Sequence, residues 1–141
     1  MTMRWFPDSM PVPAVSVDTF PWWHAAAQHK LVIQRCSSCD TVRHPPGPMC
    51  PSCRSFEHGW EELSGRGTVY TFTRVHQAFV PDLAEQLPYV VAVVELEGGE
   101  GARLVTNVVD VDPSTVHIGM EVEVVWEDMG PELSVPRVRP T

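Results

Sequence analysis

Residues 36–53 read CSSCDTVRHPPGPMCPSC, and this stretch decides how the rest of the chain is read. It carries all 4 cysteines of the protein, Cys36, Cys39, Cys50 and Cys53, as two C-x2-C pairs separated by ten residues. The short spacing lets each pair wrap one side of a metal, and the connection returns the chain so that four thiolates close a tetrahedron around Zn2+. Disulfides are the competing use of these thiols. The N-terminus has no basic-then-apolar secretion signal, and four cysteines confined to one short stretch favour a metal. Iron in a rubredoxin-like tetrathiolate is the other metallic reading, although nothing in the sequence supplies a redox partner. A four-thiolate shell leaves no open position for water or substrate, so the expected site is structural. With that shell complete, His44 and His58 are expected at the surface.

On the N-terminal side, residues 1–17 mix Pro7, Pro11 and Pro13 with Trp5, Phe6, Met10 and Val12. They show neither helical nor strand period and read as an extended arm with enough apolar surface to pack on something. From Asp18 the pattern changes. Asp18 or Thr19 can cap a helix, Pro21 is tolerated in its first turn, and Trp22 to Lys30 includes three alanines. Phe20, Trp23 and Ala27 fall on one face of this short helix, with Trp22 and Ala26 beside them. So aromatic a helix either packs on its own domain's core or presents a surface to a partner.

Beyond Trp60 the chain is strand-like. Thr68 to His76 alternates, Tyr89 to Leu96 is nearly continuous apolar, and Leu104 to Val111 is valine-rich. Met120, Val122, Val124 and Trp126 alternate with Glu121, Glu123 and Glu127, which predicts one buried face with the glutamates mostly opposite. Leu133 to Val138 contains Pro136, which places that run at an edge or bulge. Five short strands point to a small closed barrel; an OB-type barrel leads, and an SH3-like barrel has a similar strand count. The expected fold is mainly β: an N-terminal arm and aromatic helix over 1–34, a rubredoxin-like zinc ribbon over 35–60, and a five-stranded OB-fold barrel over 61–141.

Ten basic against eighteen acidic residues give a net charge of -8, with Lys30 the single lysine. This balance argues against nucleic acid, whose binding draws its affinity from Lys and Arg on phosphates. Arg43, Arg54, Arg66 and Arg74 can each meet a phosphate, but the sequence does not group them, and solvated arginines are the default. The longest purely apolar run, Val90 to Val94, is far short of a membrane span, so a cytoplasmic protein is expected. No serine sits in a nucleophile elbow, no phosphate-cradling glycine loop occurs, and no cysteine is left over as a nucleophile. His76 with Asp82 and Glu85 is the one conceivable acid/base group, in a loop where such residues are usually just solvated. The loop's Phe79, Val80, Leu83 and Leu87 must be covered, by the barrel, by a larger protein or by an acyl chain.

Taken together, LVIQRCSSC, PPGPMCPSC, GRGTVYTFT, PYVVAVVELEGG, IGMEVEVVWED and the terminal RP resemble a known family: the zinc ribbon fused to an OB fold called domain-of-unknown-function family thirty-five, described as acyl-CoA-associated. One departure is Asp40, where the family usually has glycine after the second cysteine. The resemblance implies an accessory subunit that assembles with a thiolase-fold enzyme acting on acyl-CoA thioesters. Such enzymes include a steroid side-chain acyl-CoA aldolase, a ketothiolase or an acyltransferase. Catalytic residues and most of the acyl-CoA contact then lie on the partner. The expected interface is Phe20, Trp22, Trp23, Phe79, Val80 and Leu83. The competing function is a free-standing OB-fold binding module for CoA or acyl-CoA, or for single-stranded nucleic acid.

Overall fold

The computed structural model describes residues 4–141. The helix, α1, runs Phe20–Ala27 and stops short of Lys30, because His29 turns left-handed at φ 59°. Thr19 occupies the N-cap position without capping: its hydroxyl accepts from the Ser16 N–H instead. Of the two neighbouring stripes, the flanking one is the more deeply buried. Trp22 and Ala26, one turn apart, face the core, whereas Phe20 is 57% exposed and Trp23 is half-buried. With two aromatics in sequence, only one can point inward from the same turn.

Three strands form the ribbon sheet: β1 (Val32–Cys36), β2 (Val42–Arg43) and β3 (His58–Glu62), in the order β2-β1-β3. The barrel is closed by β4 (Arg66–Val75), β5 (Tyr89–Leu96), β6 (Arg103–Val108), β7 (Glu121–Asp128) and β8 (Ser134–Pro140), in the order β4-β5-β6-β8-β7. This is the five-stranded OB-type barrel. Alternation in β4 breaks where the pairing with β5 shifts between Val69 and Thr71, so Tyr70 is an extra, exposed residue that bends the strand. Gly67 shows why GRGT begins it: a Cβ there would lie 2.6 Å from Val94 and 2.7 Å from the Glu95 carbonyl oxygen. Pro136 is buried within β8 rather than at a free edge. It is accommodated because β6 and β8 meet at only one parallel pair, Val108 with Val138, which leaves no ladder partner for a missing N–H.

One hydrophobic cluster runs through the chain. Trp22, Ala26 and Leu31 pack with Val69, Val90, Val94, Leu104, Val122 and Val138, and Val32 and Trp60 of the ribbon sheet lie against the same cluster. The helix therefore plugs the seam between ribbon and barrel. Among the described residues no helix is long and apolar enough to cross a membrane.

The arm packs on the barrel through Glu127 of β7. Glu127 lies opposite the apolar face as expected, yet its side chain is wholly enclosed. Arg137 donates to one carboxylate oxygen at 2.6 and 3.1 Å, and the Trp5 and Phe6 N–H groups donate to the other at 2.5 and 2.9 Å. Trp5 Nε1 reaches Asp110, and Ser9 donates to Asp82 at 2.6 Å. Burial alone would raise the Glu127 pKa, but the bonds from Trp5, Arg137 and Phe6 outweigh it and hold the carboxyl below its ordinary value.

Candidate metal centre

Two knuckles bring the cysteines together. In the first, the Asp40 N–H donates to the Cys36 carbonyl at 3.0 Å; in the second, the Arg54 N–H donates to the Cys50 carbonyl at 2.9 Å. Each turn closes on a left-handed residue, Asp40 at φ 64° and Arg54 at φ 65°. Asp40 thus takes the conformation that glycine adopts most easily, so the knuckle is strained rather than differently turned.

The four sulfur atoms all lie within 4.8 Å of one another, with Cys36 to Cys53 and Cys39 to Cys50 both 3.6 Å. Sulfurs at tetrahedral positions around Zn2+, each about 2.3 Å from the ion, stand about 3.8 Å apart, so the arrangement fits the metal. Disulfides need sulfurs about 2.05 Å apart, and all four cysteines are free. The electrostatics agree. Backbone N–H groups of Cys39 and Ser38 lower the Cys36 thiol, and those of Cys53 and Ser52 lower Cys50 to about 6. At Cys53 the Ser55 N–H pulls the same way, yet the neighbouring sulfurs and burial together push it up to about 12. Four thiolates in this space need a cation, and a closed tetrathiolate shell makes it a structural Zn2+ site.

The remaining candidates fall in different places. Trp22 and Leu83 are buried in the chain's own core at 5% and 6% exposure. Phe79 at 73% and Val80 at 39% stand out beside a short 3-10 helix, Pro81–Gln86, which lies within the loop between β4 and β5. His76 and Glu85 are exposed, and Asp82 is engaged by Ser9. Two arginines depart from the solvated default: Arg74 donates to the carbonyls of Pro113, Ser114 and Val116, and Arg43 is buried. His44 is also not a surface residue. It is half-buried with its ring 5.7 Å from that of Trp22, and burial lowers its pKa. Gln34, fully buried in β1, and the clamp on Glu127 carry no motif by which sequence alone singles them out. A weaker signal for the latter is present in Arg137 and Arg139, which alternate on the strand following the glutamates.

Comparison with known proteins adds the lineage. Residues 23–59 match the family described as "ChsH2, rubredoxin-like zinc ribbon domain", and residues 60–127 match "ChsH2, C-terminal OB-fold domain". A solved chain described as "Ltp2-ChsH2(DUF35) aldolase" superposes with a TM-score of 0.81 and 48% identity, covering 92% of this chain and 98% of that one. The "Probable enoyl-CoA hydratase alpha subunit" of Thermomonospora curvata is 48% identical over 92% of this chain, which spans only 40% of that subunit's length. The "DUF35 domain-containing scaffold protein" of Methanocaldococcus jannaschii is 44% identical, covering 74% of this chain and 73% of the relative. With ribbon, barrel and cysteine geometry in agreement with these matches, the chain belongs to the DUF35 family, in its ChsH2-type form of a zinc ribbon followed by an OB-fold barrel.

Proposed function

We propose that the chain is a non-catalytic subunit that assembles with a thiolase-fold enzyme and supports its action on an acyl-CoA thioester, with retro-aldol cleavage of a steroid side chain as the leading reaction. The observation that carries this reading is the likeness to the Ltp2–ChsH2(DUF35) aldolase chain, which extends over 98% of that chain's length. The chemistry of the site supports it. The metal centre has the form of a closed shell, all four cysteines belong to it, and His76 is exposed at the surface.

Within this reading, the contact is made by Phe20, Trp23, Phe79 and Val80, which stand wholly or partly in solvent, while Trp22 and Leu83 hold the helix and the loop in place from beneath. The test is co-expression with the thiolase-fold protein of the same host. The expected result is a stable hetero-oligomer whose acyl-CoA cleavage requires both chains. Turnover by this chain alone, or two chains that elute separately, would refute it.

A further inference from the structure

Among the described residues, five buried side-chain polar atoms lack a hydrogen-bond partner, and four of them lie around one seam: Trp22 Nε1, Gln34 Nε2, Arg43 Nη1 and His44 Nδ1. The chain brings them together by register and by contact. Gln34 and Arg43 are paired across β1 and β2, and the loop after Arg43 folds back so that the Gly47 N–H donates to Gln34 Oε1 while the Gly47 carbonyl accepts from Arg43. His44 follows Arg43 and packs against the Trp22 ring. Arg43 and His44 also line a cleft of about 390 Å³ with Val42, Glu100 and Arg103.

What would occupy this seam follows from the donor inventory. The indole, the Gln34 amide nitrogen and the guanidinium only donate, so the missing partner is rich in acceptors. Ordered water would satisfy the hydrogen bonds but not the charge. Arg43 is 9% exposed and, among the described residues, has no carboxylate within ion-pair distance; Glu100, on the wall of the same cleft, is taken by Arg35 at 2.5 Å. A buried cation normally sits beside an anion.

We infer that the seam between α1, β1 and the His44–Pro48 loop is a binding site for a small oxyanion, of phosphate or carboxylate type, held by Arg43, Gln34 and Trp22. Because the donor atoms are enclosed, the loop must lift to admit it. The inference is independent of the partner reading above.

The test uses the zinc-loaded full chain with 15N-labelled indoles, titrated with sodium phosphate or sodium acetate at constant ionic strength, against a sodium chloride control. The Trp22 signal, assigned with Trp22→Phe, is expected to shift saturably while the other four indoles stay in place. The phosphate and acetate arms show which oxyanion type the seam prefers. Gln34→Glu supplies the missing charge from within the chain: the variant should melt at higher temperature and lose the anion response. Arg43→Lys should weaken the response at least tenfold. A Trp22 indole unmoved by either anion, or all five indoles drifting together, would overturn the inference and leave buried water alone in the seam. The wild-type titration decides this even where a variant fails to fold.

Discussion

Replacing Glu127 by glutamine tests the account of the N-terminal arm most sharply, because it changes one oxygen to an NH2 and little else. The carboxylate accepts on both sides: Arg137 donates twice to one oxygen, and the Trp5 and Phe6 N–H groups donate to the other. An amide offers one acceptor oxygen. Whichever way it turns, its NH2 faces either the guanidinium or the two arm N–H groups, so donors are left opposed in a site closed to water. Loss of one partner from a buried pair costs about 3–5 kcal/mol, and hydrogen bonds to a charged group contribute about 1.5–3 kcal/mol each. Arg137 keeps 15% exposure, which allows some relief, so the expected loss is about 3 kcal/mol, read from urea denaturation of the zinc-loaded chain. Protease cleavage within residues 4–17 should accelerate in parallel as the arm detaches. Deleting residues 1–9 removes two of the donors, and Glu127→Gln in that background should cost at least about 1 kcal/mol less than in the full chain. A glutamine variant within about 0.5 kcal/mol of the parent, with the arm still protected, would refute the clamp. The pH dependence has a definite sign. The folded pKa of Glu127 lies below its unfolded value, so the clamp's stabilisation is fully present above the ordinary carboxylate range and is lost as pH falls through the folded pKa. Asp128, lowered by its bonds from Ser134 and His29, acts in the same direction.

Exchange of any of the four cysteines for serine, or removal of the metal by a strong chelator, should unfold the ribbon, since metal binding supplies folding free energy where no apolar core exists; zinc analysis beside circular dichroism checks it. Asp40→Gly should raise stability by up to about 1 kcal/mol with zinc content unchanged, because the left-handed turn at φ 64° no longer carries a Cβ; a loss of stability would contradict the strain. Trp22→Ala should cost about 3–5 kcal/mol in thermal or urea melts, whereas Phe79→Ala should leave the melt within about 0.5 kcal/mol and weaken partner binding roughly tenfold or more, as measured by calorimetric titration. The reverse pattern would place Trp22 at the interface and Phe79 in the fold.

The metal centre was legible because its information is local. Cysteine spacing sets how four thiolates can meet whatever surrounds them, and the two knuckles are closed by backbone bonds four residues long. The barrel strands were legible for a related reason, since a closed sheet buries alternate residues and valines at period two record that burial. What needed the tertiary structure were side chains whose partners lie far along the chain. Trp22 and Trp23 are interchangeable in sequence, and only the position of the barrel chose which one enters the core. Glu127 repeats the pattern of Glu121 and Glu123 and differs because an arm more than 120 residues earlier lies across it. Arg43 and His44 read as ordinary surface residues until β1, α1 and the proline loop enclose them. Sequence pattern records the average environment of a face, polar or apolar; the pairing of one buried charge with one distant donor leaves no periodic trace, and is fixed only when the chain has folded around it.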